Sequence, residues 1–174
     1  MFAGKTARLI ERLAAAQTAG RAVVAFKHTL DTRYAPDALA THDSRRFPAR
    51  AVASAEEIRA RAGRAEVIGI DEAQFFGRPL VAVCAALREA GRAVLVAGID
   101  HDTWGQPFPP LPELRELADQ VELRTPACRV CGRPARFSQR LTPIVDGQLV
   151  GGPGDYEPRC GRCFVAAPGP APRY

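Results

Sequence analysis

Four cysteines in two Cys-x-x-Cys pairs constrain this chain more than any other feature. Cys128 and Cys131 form the first pair and Cys160 and Cys163 the second, with 28 residues between the pairs. Each pair can present two thiolates to one tetrahedral ion at Zn–S distances of about 2.3 Å. Gly132 and Gly161 permit tight turns beside the ligands. Four sulfurs close the coordination shell, so the implied Zn²⁺ is structural and leaves no open position for chemistry. From Cys128 to Cys163 glycine, proline and paired cysteine dominate. That is the texture of a small module organised by metal, because so short a stretch cannot bury enough apolar surface alone. The N-terminus lacks the apolar core of a signal peptide, so a cytoplasmic location is expected. There, this spacing points to metal and not to disulfides. Cys84 stands in an apolar stretch and reads as a buried core residue.

The remaining length of this 174-residue chain suits one globular domain. Residues 5–18 have Leu9, Ile10 and Leu13 on one helical face, closed by Gly20. Ala22–Phe26 reads as an apolar strand, 27–48 as a polar loop, and 51–53 as a short strand. Ser54 caps a helix to about Gly63, with Glu57 completing a capping box. Glu66–Asp71 is a strand apolar on both faces, as in the middle of a parallel sheet. A helix over 79–90, a strand over 93–100, a helix over 111–118 and a strand near 121–123 follow. The alternation implies an α/β fold built on a parallel sheet. The expected organisation is a domain at 1–125, a zinc-bearing module at 126–165 and a disordered tail at 166–174. No apolar run approaches the ~18 residues of a membrane span. The net charge of +5 is carried mostly by scattered arginines, which suits a polyphosphate site better than stable nucleic-acid binding.

Two motifs carry chemistry. Ala3-Gly4-Lys5-Thr6 opens a helix and matches the second half of G-x-x-x-x-G-K-[ST]. Backbone N–H groups at a helix start attract phosphate oxygens. Lys5 would reach the β- and γ-phosphates, and Thr6 would ligate Mg²⁺. Val67-Ile68-Gly69-Ile70-Asp71-Glu72-Ala73-Gln74-Phe75-Phe76 is an apolar strand ending in acid. Asp71 at its C-terminal tip would hold the magnesium. Glu72, pointing elsewhere, would face an acceptor hydroxyl as general base.

In order, the chain carries Met1-Phe2-Ala3-Gly4-Lys5-Thr6, Asp31-Thr32-Arg33-Tyr34 with His42 following, and Ile70 to Phe76. Ala97-Gly98-Ile99-Asp100, the two cysteine pairs, and Val150-Gly151-Gly152 leading to Tyr156-Glu157-Pro158 complete the set. Together these resemble the P-loop thymidine kinases of cellular and bacterial type, over Met1 to about Phe164. The resemblance implies ATP-dependent phosphorylation of deoxythymidine at its 5′-hydroxyl, with Mg²⁺ accompanying ATP and zinc in the module. It implies Glu72 as catalytic base, and ATP and Mg²⁺ on Met1, Phe2, Ala3, Gly4, Lys5, Thr6, Asp71, Glu72, Ala73 and Gln74. A loop between about Leu141 and Tyr156 would close over the nucleoside with its backbone. Asp31, Arg33, Phe75, Trp104, Val150, Gly151, Gly152 and Tyr156 would meet substrate. Arg140 falls near the pocket without an assigned role. A homotetramer is implied by likeness alone.

Some features depart from the family pattern. Thr103 falls where the family often has an aromatic residue, with Trp104 one place later. His28, His42 and His101 show no metal spacing and read as polar loop residues. The first glycine of the phosphate loop would lie five residues before Gly4, ahead of Met1, together with the strand that feeds it. A start further upstream is the expectation. The alternatives are an inactive truncated kinase fragment and a zinc-ribbon module for nucleic acid.

Overall fold

The computed structural model describes residues 2–31, 37–41, 44–144, 149–152 and 154–171. Met1, Arg33, Tyr34 and His42 lie outside the described residues. Helix α1 (Lys5–Thr18) precedes β1 (Val23–His28). A hairpin of β2 (Ala38–Ala40) and β3 (Arg46–Pro48) leads into β4 (Arg50–Val52), α2 (Ala55–Arg61) and β5 (Val67–Ile70). A 3-10 turn at Ala73–Phe76, α3 (Pro79–Glu89), β6 (Ala93–Val96) and α4 (Leu111–Leu117) follow. The last elements are β7 (Phe137–Arg140) and β8 (Tyr156–Arg159), an antiparallel pair. The main sheet is parallel with order β4-β1-β5-β6. The expected α/β fold on a parallel sheet is therefore observed.

Alternation along the strands splits the core in two. Val24, Phe26, Ile68, Ile70 and Val94 face a cluster built with Ile58 of α2 and Leu80, Val83, Cys84 and Leu87 of α3. Burial pushes the Cys84 thiol up to about 12, as befits an inert core residue. Val23, Ala25, Val67, Ala93 and Leu95 face α1, through Leu9, Ile10 and Leu13, and the hairpin, through Leu39 and Phe47. All four residues of β5 are buried, because helices cover both faces. In β6 the outer edge carries no partner strand among the described residues, and Val96 is 36% exposed.

Three expectations need correction. The 27–48 stretch is not loop throughout, since the β2–β3 hairpin buries Leu39 and Phe47. Its three-residue strands are too short to show a period. Residues 121–123 form no strand. Val121 and Leu123 are exposed, and Glu122 instead pairs with Arg8 and Arg124. His28 is no loop residue: it ends β1, is buried, and sets its ring edge against Phe76 at 4.8 Å. Its Nδ1 accepts the Leu30 N–H at 3.0 Å, so Nε2 donates to the Ala53 carbonyl at 3.1 Å.

Helix α1 meets β5 at Gly69. A Cβ there would lie 2.6 Å from Leu13 Cδ1, and Leu13 is fully buried. Gly69→Ala is expected to cost about 1–3 kcal/mol through overpacking, read as a lower urea midpoint. Burial also lowers the His28 pKa below its ordinary value near 6.5. The folded chain therefore binds fewer protons than the unfolded chain. This contribution to stability is present above about pH 6.5 and is lost as pH falls toward the folded-state pKa. His28→Gln should flatten that part of the stability–pH curve, measured by thermal melts across pH 5–8.

Candidate active site and metal centre

The C-terminal ends of β1, β5 and β6 point the same way, as parallel strands must. Asp71 follows β5 directly, and its N–H donates to the Phe26 carbonyl at 3.0 Å. Gly4, with φ of 66°, turns the chain into α1 in a left-handed conformation that favours glycine. The first turn of α1 then places the Thr6 hydroxyl as donor to Asp71 Oδ2 at 2.8 Å, across 65 positions of sequence. Burial, then the neighbouring Glu72 carboxylate, push the Asp71 carboxyl up to about 7. The Thr6 hydrogen bond and the charge of Lys5 pull it back down. The two sequence motifs thus meet at one point, where an ionised Asp71 is favoured by added positive charge.

Glu72 has φ of 51° and ψ of 49°, the left-handed region, which a non-glycine residue seldom adopts. The chain there leaves β5 and enters the 3-10 turn. The Ala73 N–H is held by the Ala97 carbonyl at 2.9 Å, and Ala97 in turn donates to Ile70 at 2.8 Å. Gln74 is buried; its amide nitrogen donates to Glu72 Oε2 at 2.5 Å, and its oxygen accepts the Ile99 N–H at 3.3 Å. Gln74 therefore aims the Glu72 carboxylate while fastening the loop after β6. Backbone strain of this kind concentrates at functional sites.

Glu72, Gln74 and Phe75 line a cavity whose opposite wall is Leu149, Val150, Gly151 and Tyr156, with Ser138 from β7. The loop after β6 supplies Ile99, His101, Asp102, Thr103 and Phe108. A network with Arg140 at its centre holds the opposite wall. Arg140 donates to the Tyr156 hydroxyl at 2.9 Å and to the Thr142 carbonyl at 3.0 Å, and its guanidinium lies 4.8 Å over the Tyr156 ring. The Tyr156 hydroxyl donates to the Leu149 carbonyl at 2.5 Å. The Asp155 carboxylate accepts from the Gly152 N–H and the Thr142 hydroxyl, each at 2.9 Å. The Gly152 N–H, above all, holds its carboxyl below the usual value. A side chain at Gly151 would collide with Asp155 and Tyr156, so only glycine fits this turn.

Of the residues singled out in the sequence, Glu72, Gln74, Phe75, Val150, Gly151 and Tyr156 line this cavity. Lys5, Thr6 and Asp71 gather beside Glu72. Ala73 is packed into the core, and Asp31 is buried in an ion pair with Lys27 at 3.5 Å. Phe2 and Ala3 line a separate groove with Glu122–Pro126. Thr103 is on the cavity wall and Trp104 is not. Ile99, His101, Phe108 and Leu149 were not legible beforehand, because no local pattern marks a loop residue as facing a cavity. In the segment after the last cysteine, Ala167 is buried and donates its N–H to the Thr103 carbonyl at 3.0 Å.

Cys128, Cys131, Cys160 and Cys163 converge, with all four sulfurs within 4.8 Å of one another. Cys131 and Cys160 Sγ lie 3.5 Å apart, too far for a disulfide. Sulfurs around tetrahedral zinc would stand roughly 3.8 Å apart, given bonds of about 2.3 Å. Each pair turns tightly: Gly132 N–H bonds to the Cys128 carbonyl and Cys163 N–H to the Cys160 carbonyl. This donor set fits a structural metal.

The thymidine kinase family model matches residues 1–164. The chain is 46% identical over 165 residues to a thymidine kinase of Rhodothermus sp. (strain ITI 518), covering 94% of this chain and 77% of that one. It is 39% identical over 169 residues to a thymidine kinase of Bacteroides thetaiotaomicron, covering 97% and 85%. It is 41% identical over 166 residues to one from Bdellovibrio bacteriovorus, covering 94% and 81%.

The cysteine cluster makes a stoichiometric prediction. Purified protein is expected to hold one divalent ion per chain by elemental analysis, and Cys160→Ser to hold little. Proteolysis of that variant should begin between the two pairs.

Proposed function

The chain belongs to the thymidine kinase family, and on that premise we propose which of its residues carry out phosphoryl transfer from ATP to the 5′-hydroxyl of thymidine. The phosphates of ATP lie over the start of α1, where unpaired backbone N–H groups and Lys5 attract them. Thr6 and Asp71 are the residues that would hold Mg²⁺. The buried Asp71 carboxyl, drawn up to about 7 by burial and by the neighbouring Glu72 carboxylate, is suited to it. When bound, that ion neutralises charge on the transferring phosphoryl group.

Glu72 accepts the proton of the 5′-hydroxyl as that oxygen bonds to the γ-phosphorus. The bond from the γ-phosphorus to the bridging oxygen breaks, and ADP leaves with that electron pair. Gln74 keeps the Glu72 carboxylate in place during the transfer. Phe75, Tyr156 and the backbone of Leu149–Gly151 enclose the nucleoside and exclude water. Most of the acceleration then comes from positioning and charge complementarity. Cys128, Cys131, Cys160 and Cys163 would hold zinc, and an ion there would anchor β7 and β8, between which the enclosing wall lies. Arg33 and Asp31 remain assigned to the substrate side by likeness. Assembly into homotetramers is part of the same proposal and is supported by family likeness alone.

The observation that carries this reading is that Glu72 belongs to both places at once. It adjoins the Thr6–Asp71 contact and lines the cavity closed by Leu149–Gly151. Glu72→Gln is expected to lower kcat by about 10²- to 10⁴-fold while ATP binding persists, measured with labelled ATP and thymidine. Turnover at the wild-type rate in that variant would overturn the assignment.

A further inference from the structure

The segment joining β7 to β8 brings a wall to the cavity, yet little apolar burial holds that wall in place. Among the described residues, the buried apolar cluster of this module is Cys128, Ala135 and Cys160, and none of these belongs to the joining segment. The wall therefore depends on polar ties, and several of them meet at one side chain. Arg140 and Tyr156 stand directly opposite each other as the last pair of the β7–β8 ladder, where the chain leaves the strands and returns to them. Opposed residues share a face of the sheet. From that position the half-buried guanidinium reaches both limbs of the segment. On the outgoing limb it donates to the Thr142 carbonyl at 3.0 Å and to the Pro143 carbonyl at 3.3 Å. On the returning limb it donates to the Tyr156 hydroxyl at 2.9 Å.

The direction of this last bond fixes the next one. A guanidinium has donors and no acceptor, so the Tyr156 oxygen accepts from it. The phenolic hydrogen is then given to the Leu149 carbonyl at 2.5 Å. Leu149 opens the stretch Leu149–Gly151 that lines the cavity. The relay from Arg140 to Tyr156 to Leu149 thus runs from the end of the ladder to the wall, with each bond pointing one way. The Tyr156 hydroxyl is committed within the wall, and the ring is what this residue offers to the cavity. Arg140 itself is not one of the cavity's lining residues.

We infer that Arg140 is a positioning residue for the acceptor nucleoside: through the Tyr156 hydroxyl it sets the place of Leu149–Gly151, and so the affinity for thymidine. The inference rests on the reading of this cavity as the nucleoside site. The role calls for arginine in particular. Its acceptors are two carbonyls on one limb and a hydroxyl on the other. A planar fork of donors serves all three at once, whereas the ammonium of lysine is a compact point charge and cannot reproduce the fork. A wall set in place before the ligand arrives spares the ligand the cost of ordering it. Loss of the relay should therefore weaken nucleoside binding more than it slows phosphoryl transfer, because Glu72 and the start of α1 lie outside it.

Arg140→Lys keeps the charge and loses the fork; Tyr156→Phe keeps the ring and removes the middle of the relay. Thymidine affinity by calorimetry, and KM for thymidine and for ATP, are measured for the full-length wild type, both variants and the double variant. Arg140→Lys should weaken thymidine binding about 10-fold, the scale of a charge-assisted hydrogen bond. Its KM for ATP should change by less than about 2-fold, and kcat at saturating thymidine should change less than the thymidine KM. Tyr156→Phe should weaken thymidine binding about 3- to 10-fold. The double variant should bind little worse than the weaker single variant, because both changes cut the same relay. Three results would overturn the inference: wild-type thymidine affinity in Arg140→Lys, equal losses for ATP and thymidine, or a double variant whose loss is the product of the two single losses. If wild-type protein binds no thymidine, the reading of the cavity falls and this inference falls with it. If wild type binds and Arg140→Lys binds equally well, only the role of Arg140 is lost.

Discussion

One hydrogen bond, from Thr6 to Asp71, ties together segments that are far apart in sequence. It exists because α1 lies close against β5, and α1 can lie that close because residue 69 has no Cβ. Leu13 fills the space a side chain would take. The glycine in an otherwise β-branched strand thus sets the distance between a helix start and a strand end. Alternation in β5 does the rest: Ile68 and Ile70 are held under α2 and α3, so the strand is gripped on both faces. A carboxylate at the end of so buried a strand has little freedom, and its chemistry follows from what lies within reach.

The second half of the site is built differently. Its wall does not come from the sheet but from the small β7–β8 pair, beside which four cysteine sulfurs converge. Apolar burial there is slight, with Cys128, Cys160 and Ala135 its buried members. Polar ties take over. Arg140 reaches Tyr156, Thr142 and Pro143, and Asp155 closes the turn at Gly152. Apart from Arg140 to Tyr156, which spans 16 positions across the β7–β8 pair, these bonds join residues near in sequence, so the wall can hold its shape without a core of its own. The two halves share Glu72, which is why its unusual backbone conformation matters.

The sequence carried much of this and left some of it hidden. Helix α1, the apolar β5 and the cysteine pairs were legible because each depends on a local rule: helical period, continuous burial, and ligand spacing. The Lys5–Thr6 and Asp71–Glu72 motifs were legible as chemistry, but their meeting was a matter of tertiary distance. The β2–β3 hairpin escaped notice because two three-residue strands show no period. His28 was misjudged because its burial comes from Phe75 and Phe76, nearly fifty residues away along the chain. Arg140 had a position but no role until Tyr156 was seen beneath it. Trp104 was expected to meet substrate, yet its neighbour Thr103 lines the cavity instead, because the turn held by Asp102 sets which of the two faces it.

The contact between Ala167 and Thr103 has a mechanical meaning. After the last cysteine the chain doubles back and fastens to the loop that follows β6. The sulfur cluster, the C-terminal segment and that loop therefore form a closed strap around one side of the cavity. Ala167, which does not line the cavity itself, thus braces the backbone of a residue that does.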